Sequence, residues 1–525
     1  MLNGERKPAA LRQRVRRLSG IWPKDRVRRR LAAGDWVMAG TFGRMASAAV
    51  LAAVLAAALA TSAFAQTQGQ VITKQYDDGS IYEGTFKNGR QDGTGTYKLP
   101  NGFVYTGDWV AGEIKGKGRA TYPNGSVYEG EFAAGKPEGH GKITFSDGGT
   151  YEGNWKDGGM TGQGQATYAD GSVYVGSFVA GQREGTGKLT TPLGYTYDGA
   201  WVKGAKEGKG KITYADGTSY DGEFKADQRE GKGTLTVPKG PTYVGQWQAG
   251  QIAGTGKLTE ADGDTYDGSF VGGQRDGSGK STYANGETYA GAYRGDKREG
   301  KGKFTAKDGA SYDGDWLAGQ MQGQGVMTYT DGSVYAGGFK AGLPDGAGKI
   351  SYADGSSYDG AWVVGAIQGL GTSTYAGGAV YVGTHVAGQP DGTGKMTYPD
   401  GYSYDGQWKS GVRVGTGTAT YPDGTVYIGT FVAGLRDGKG KLTMKNGFTY
   451  DGDWSKGEMT GAGLATYPGG EVYDGAFVAG KREGLGKLTY KKGEVSLGVW
   501  KNGILMGPVP TPGTGPDVQV PPANP

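Results

Sequence analysis

Tyrosine recurs every 23 residues from Tyr82 to Tyr473, at 82, 105, 128, 151, 174 and onward without an insertion. The nineteenth position of this series is Ser496. A fixed period of this kind excludes an ordinary globular domain and demands stacked identical units. Glycine follows each tyrosine by two residues, and an aromatic ring follows by four in all but one unit. The nine tryptophans beyond residue 65 all occupy that ring position: Trp109, Trp155, Trp201, Trp247, Trp316, Trp362, Trp408, Trp454 and Trp500.

One unit shows what the pattern encodes. In residues 127–132, Tyr128, Gly130 and Phe132 alternate with Glu129 and Glu131, which predicts a half-buried strand. A Gly-containing turn, "AAGKPEG", leads to a second alternation of Gly139, Gly141, Ile143 and Phe145, closed by "SDGG". Two strands and two turns fill the repeat, so the unit is a β-hairpin. One face collects rings, glycines and aliphatics; the other collects Asp/Glu on the first strand and Lys/Thr on the second. The 107 glycines then have a use: a bare backbone position seats the ring of a neighbouring unit. A single hairpin cannot bury its rings. The expected fold is therefore all-β, an elongated single-layer antiparallel meander of about 19 stacked hairpins whose stability sums over neighbours.

Tyr-x-Gly-x-(Trp/Phe)-x-x-Gly-x-x-x-Gly-x-Gly, seen as Tyr105, Gly107, Trp109, Gly112, Gly116 and Gly118, resembles the MORN repeat (membrane occupation and recognition nexus). The resemblance covers 82–507. It implies an elongated antiparallel array that scaffolds proteins or associates with membranes, without catalysis in the repeats. An exported bacterial member of that family is the expectation here.

A longer period of 46 residues overlies the first. The ring alternates between Phe and Trp, as in Phe86, Trp109, Phe132 and Trp155, until Tyr293 breaks step; His385 later stands where a ring belongs. Phe units carry charged or Pro-containing turns, such as Pro137-Glu138, Arg183-Glu184 and Arg482-Glu483. Trp units carry Ile114, Met160, Ile252, Met321, Ile367 and Met459 at the same place, with Lys206 and Arg413 as exceptions. If these are turn tips, they line one edge, and the apolar set is either a repetitive interaction strip or a cap on the aromatic face. The slip near 289–312 marks a bend or a join between two sub-arrays.

The flanks read differently. Met45 to Ala60 is an uncharged apolar run followed by Ala63-Phe64-Ala65, a signal-peptide pattern with cleavage between Ala65 and Gln66. A start at Met38 would give this leader an ordinary length. The alternative is an inner-membrane anchor formed by 45–65. Export places the mature chain in the periplasm, envelope or outside the cell. Residues 66–81 read as linker and half-hairpin cap, and 508–525 as a disordered Pro-rich tail.

Composition narrows the function. Of 57 basic and 52 acidic residues, 12 and 3 lie in residues 1–65, leaving 45 against 49. The body has no basic excess, which argues against nucleic acid. There is no cysteine, and the two histidines are His140 and His385. No catalytic, cofactor-binding or metal-ligating residue is expected, and the Asp/Asn-Gly segments are turn chemistry. Expected partners are proteins or envelope components, lipid and wall polymer included, with self-association through exposed sheet edges. The competing readings are a phospholipid-binding surface and a cell-wall-glycan-binding repeat protein.

Overall fold

The computed structural model describes residues 69–508. The leader with Ala65 and Gln66, the anchor alternative and the tail beyond Pro508 lie outside the described residues. Among the described residues there are 39 strands, from β1 (Ile72–Gln75) to β39 (Ile504–Pro508). Contacts divide them into an N-terminal unit (69–286 with 293–296) and a C-terminal unit (287–292 with 297–508). The division falls at the phase slip.

Each unit is an all-β antiparallel meander, every strand pairing with its neighbours in sequence. The hairpin of strands β6 (Val127–Ala133) and β7 (Lys136–Thr144) is typical. Its register sets Tyr128 opposite Ile143, Gly130 opposite Gly141 and Phe132 opposite Pro137, with a bulge between Gly130 and Phe132. Alternation then puts Tyr128 and Phe132 in the core and Glu129 outside.

The core explains the repeat more exactly than the sequence did. A Cβ on Gly130 would lie 2.5 Å from the Cα of Gly141, and one on Gly141 would run into the ring of Tyr128. Each repeat tyrosine therefore lies across the paired glycines of its own hairpin. The expectation that glycine seats a neighbour's ring is corrected. The joining element is the second ring: Trp155 packs edge-on against Tyr128 of the preceding repeat at 5.0 Å and Tyr151 of its own at 5.4 Å. Its Nε1 donates to the Gly141 carbonyl of the preceding repeat at 3.0 Å. The tyrosine hydroxyl donates to a backbone carbonyl three residues on, Tyr128 to Glu131 at 3.0 Å. Each edge-on pair adds about 0.5–1.5 kcal/mol beyond burial, so the stack is held by two such pairs per repeat.

Candidate functional site

The turn is shorter than the sequence suggests. Only two residues turn the hairpin, as with Lys203 (φ 48°) and Gly204 (φ 86°), the left-handed pair of a tight β-turn. Arg183, Pro137, Ile114 and their equivalents are not turn tips. They are the second residue of the returning strand and face the aromatic side, opposite the second ring.

This placement explains the 46-residue alternation. Arg183 belongs to a Phe repeat, and its guanidinium stacks 4.0 Å from the Trp201 ring of the next repeat. It also donates to the Gly204 carbonyl at 2.7 Å. Glu184 accepts from the Lys203 N–H at 2.8 Å, and the Arg183 carbonyl accepts from the Gly204 N–H at 2.9 Å. One Arg-Glu pair thus grips both polar ends of the next turn. Arg436 over Trp454 (4.2 Å) and Arg482 over Trp500 (4.1 Å) repeat the stacking in the C-terminal unit. Tryptophan is the best cation–π acceptor, which matches Trp to the repeat after an Arg. Arg413, an exception, faces Phe431 at 5.8 Å.

The apolar set takes the same in-strand position. Ile114, Met160, Ile252, Met321, Ile367 and Met459 sit in register with Trp109, Trp155, Trp247, Trp316, Trp362 and Trp454. Ile252 and Met321 are buried and the other four half-buried. Tyr105, Tyr128, Phe132, Trp201 and Trp408 are core residues.

The two rings that break the Phe/Trp rule are polar, and each has a partner. Tyr293 Oη meets Ser281 Oγ at 2.6 Å. His385 Nε2 meets Ser373 Oγ at 2.9 Å, and Nδ1 meets the Gly383 carbonyl at 3.1 Å. With Nδ1 facing a carbonyl, Nδ1 carries the proton and Nε2 accepts from the serine. Burial between Tyr358 and Tyr381 holds the His385 pKa below its ordinary 6.5. The serines stand where the adjacent repeats place Leu258 and Phe304, or Ile350 and Met396, a paired change that spacing alone does not reveal. Tyr329 Oη is buried without a hydrogen-bond partner. The Gln91 that serves Tyr76, 15 residues on, is replaced there by Pro344.

The outer face carries the expected ladder in part. Arg119 meets Glu129 at 2.9 Å, Lys142 meets Glu152 at 3.5 Å, and Lys439 meets Asp453 at 2.6 Å. These exposed pairs contribute about 0–1 kcal/mol each. A shallow depression of about 230 Å³ over Lys117, Glu131 and His140 lies on this face. The face is not polar throughout. In the C-terminal unit, on the strand Ala366–Thr374, Leu370 is 70% exposed; Val382 (54%) and Val386 on the following strand, and Val363 at the end of the preceding one, are exposed as well. Leu370 pairs with Thr384, so Val382 and Val386 are its diagonal neighbours. The sequence reading missed this patch because it treated the outer face by its commonest residues.

The rings that follow the second strand form a further row. In the C-terminal unit Tyr398, Tyr421 and Tyr467 are half-buried against the core, while Tyr375 and Tyr490 are each 39% exposed.

Comparison with known proteins places this architecture. The MORN repeat model matches 18 consecutive segments from 82–104 to 473–495. A 49-residue stretch, 8% of this chain, is 41% identical to alsin of Rattus norvegicus and spans 3% of that protein. Among solved structures, the SAS-4 TCP domain of Drosophila melanogaster aligns at 15% identity over 37% of this chain and 99% of that one, with a TM-score of 0.20. The TCP10 domain of CPAP from Danio rerio aligns at 15% identity over 42% and 92%, with a TM-score of 0.19. The matched repeats span most of the sequence, and the chain belongs to the MORN repeat family.

Proposed function

We propose that the chain is a non-catalytic scaffold, exported to the cell envelope, that docks a protein on the outer face of its C-terminal unit. The observation that carries this reading is the exposed group Leu370, Val382, Val386 and Val363 on three adjacent strands of two successive repeats. Alternation leaves those positions to solvent in most repeats, and contiguous exposed apolar surface marks an interaction site. The ring face is committed to packing between repeats. Outer carboxylates such as Glu129 and Glu152 are matched to a base on an adjacent strand, which suits a surface rather than acid–base chemistry. Export rests on the apolar run 45–60 and the Ala63-Phe64-Ala65 signal.

The test joins localisation to binding. Fractionation of cells and N-terminal analysis of the mature chain should find it in the envelope fraction, beginning at Gln66. Crosslinked wild type should retain a protein that the Leu370→Glu, Val382→Glu double variant loses. Mature chain found only in the cytoplasm, or a partner set unchanged by the double variant, would refute the reading. Vesicle co-sedimentation lost in the same variant would assign the patch to lipid instead.

A further inference from the structure

One turn of the N-terminal unit carries a residue that no other repeat places there. Leu193 stands four residues before its repeat tyrosine, where every other repeat from Asp78 to Lys492 has Asp, Asn, Gly or Lys. It is 87% exposed, the most exposed large apolar side chain among the described residues. The turn is rebuilt to hold it. In the preceding repeat Asp170 Oδ1 accepts from the Ser172 N–H at 2.8 Å, a bond that leucine cannot make. At Leu193 the Thr191 hydroxyl accepts from the equivalent N–H, that of Tyr195, at 3.2 Å. Thr191 replaces the tyrosine that the neighbouring repeats have as Tyr168 and Tyr214. Tyr195 returns a ring, 5.6 Å from Tyr214.

A single exposed leucine needs no explanation by itself, but the opposite ends of the same strands supply one. Four successive turns on the Leu193 rim carry Asp147, Asp170, Leu193 and Asp216. On the other rim the tight turns of those repeats follow Lys156, Val179, Val202 and Lys225, all exposed. Repeat by repeat, Asp147 is level with Lys156, Leu193 with Val202 and Asp216 with Lys225. Asp170 is level with Val179, one repeat from Lys203. The carboxylates next to the two outer lysines are already engaged, Asp157 by Lys136 at 3.7 Å and Asp227 by Lys206 at 3.8 Å. Ala180 extends the apolar centre in a left-handed conformation (φ 49°) that asparagine or glycine adopts with less strain. The first tight turn of the array, Asn88-Gly89, uses that relaxed pair.

Both rims advance by two strands, about 9.6 Å, per repeat. A second copy displaced along the strand direction therefore meets the first in register, with apolar residues at the centre and an acid–base pair on each flank. Charge pairs of this kind fix register. Strand twist carries the rims apart on either side, which confines the contact to these repeats.

We propose that a second copy of this chain docks its Leu193 turn between Val179 and Val202 of the first, with Asp147 on Lys156 and Asp216 on Lys225. The contact joins two different surfaces, so it does not close on itself and adds copies side by side. It uses turns alone and leaves the outer face, Val175 included, uncovered. It shares no residue with the patch around Leu370, so the two assignments stand or fall independently.

Sedimentation velocity of the full chain over a concentration series tests the contact. Wild type should grow past the dimer as concentration rises and shift toward monomer in high salt. Leu193→Asp installs the commonest residue of that turn and should remain monomeric with its fold intact. Lys156→Glu with Lys225→Glu, and Asp147→Lys with Asp216→Lys, should each lose growth alone and regain it when mixed in equal amounts. Lysine already occupies this turn position at Lys239 and Lys492, so the second variant keeps its fold. Wild type monomeric at every concentration, growth that stops at the dimer, growth that Leu193→Asp leaves intact, or a mixture that fails to recover would overturn the assignment. So would a monomeric chain whose position 193, made photo-reactive, captures a different protein in cells.

Discussion

The N-terminal and C-terminal units have the same core pattern and differ in what they leave outside. In both, Tyr lies on its own glycine pair and the second ring reaches back one repeat, as with Trp155 on Tyr128 and Trp408 on Tyr381. The outer positions of the returning strands differ. In the N-terminal unit they carry residues such as Lys117, His140, Gln163, Lys209 and Lys257. In the C-terminal unit the same positions include Val326, Leu370, Leu464 and Leu485, all exposed. The post-strand row is interrupted by Leu99, Thr191, Val237 and Glu260 in the first unit and is aromatic but for Met444 from Tyr329 to Tyr490 in the second. The repeat fixes the interior by steric necessity, and the positions it leaves free are where the units diverge.

The largest expected effect breaks what is shared. Gly141→Val and Gly394→Val each thrust a side chain into the ring of Tyr128 or Tyr381. Each should cost more than about 4 kcal/mol, the range of severe core disruption. Denaturant unfolding should show similar losses, with hydrogen exchange rising first in the substituted hairpin.

Alkali should also act on both units. Burial raises the Tyr151 and Tyr427 hydroxyls to about 12. The unfolded chain releases these protons near pH 10 while the folded chain keeps them, so stability is full below pH 10 and falls between pH 10 and about 12. A circular-dichroism titration should show base unfolding in that window.

Acid separates the units. His385 is held neutral by burial, so its contribution is present above pH 6.5 and lost as pH falls below it. Exchange in the repeats around Tyr358 and Tyr381 should rise in mild acid, with no matching rise around Tyr174. His385→Phe with Ser373→Ala should remove the difference.

A smaller effect sharpens the account of the alternation. Arg183→Met keeps the volume but loses the Trp201 stack and the Gly204 carbonyl, for about 1–2 kcal/mol. Ile252→Val at the equivalent position of a Trp repeat should cost about 1 kcal/mol as a simple loss of a buried methyl. Thermal melts of the pair in high salt would check that only the first is electrostatic.

Much of this architecture was legible because a period repeated many times leaves little ambiguity. Strand parity, the glycine pair and the ring positions follow from one hairpin such as 128–150. The turn length was not legible: "AAGKPEG" reads as a loop, and only the register shows that Lys136 and Pro137 already belong to a strand. That misreading moved Arg183 and Ile114 from the aromatic face to an edge. The Ser281–Tyr293 and Ser373–His385 pairs depend on contacts 12 residues apart across strands, which composition does not show. Leu370 was hidden by averaging, since a repeat draws attention to what recurs.

Val175 and Val382 occupy the same repeat position, 50% and 54% exposed, one in each unit. Val175 stands between Gln165 and Lys188, whereas Val382 stands between Thr372 and Lys395 with Leu370 on the diagonal. A photo-reactive residue placed at each, in cells making the full chain, compares the units at matched exposure. The account predicts a discrete protein adduct at 382 and none at 175. Equal adducts at both positions, or one at 175 alone, would contradict the claim that the binding surface belongs to the C-terminal unit.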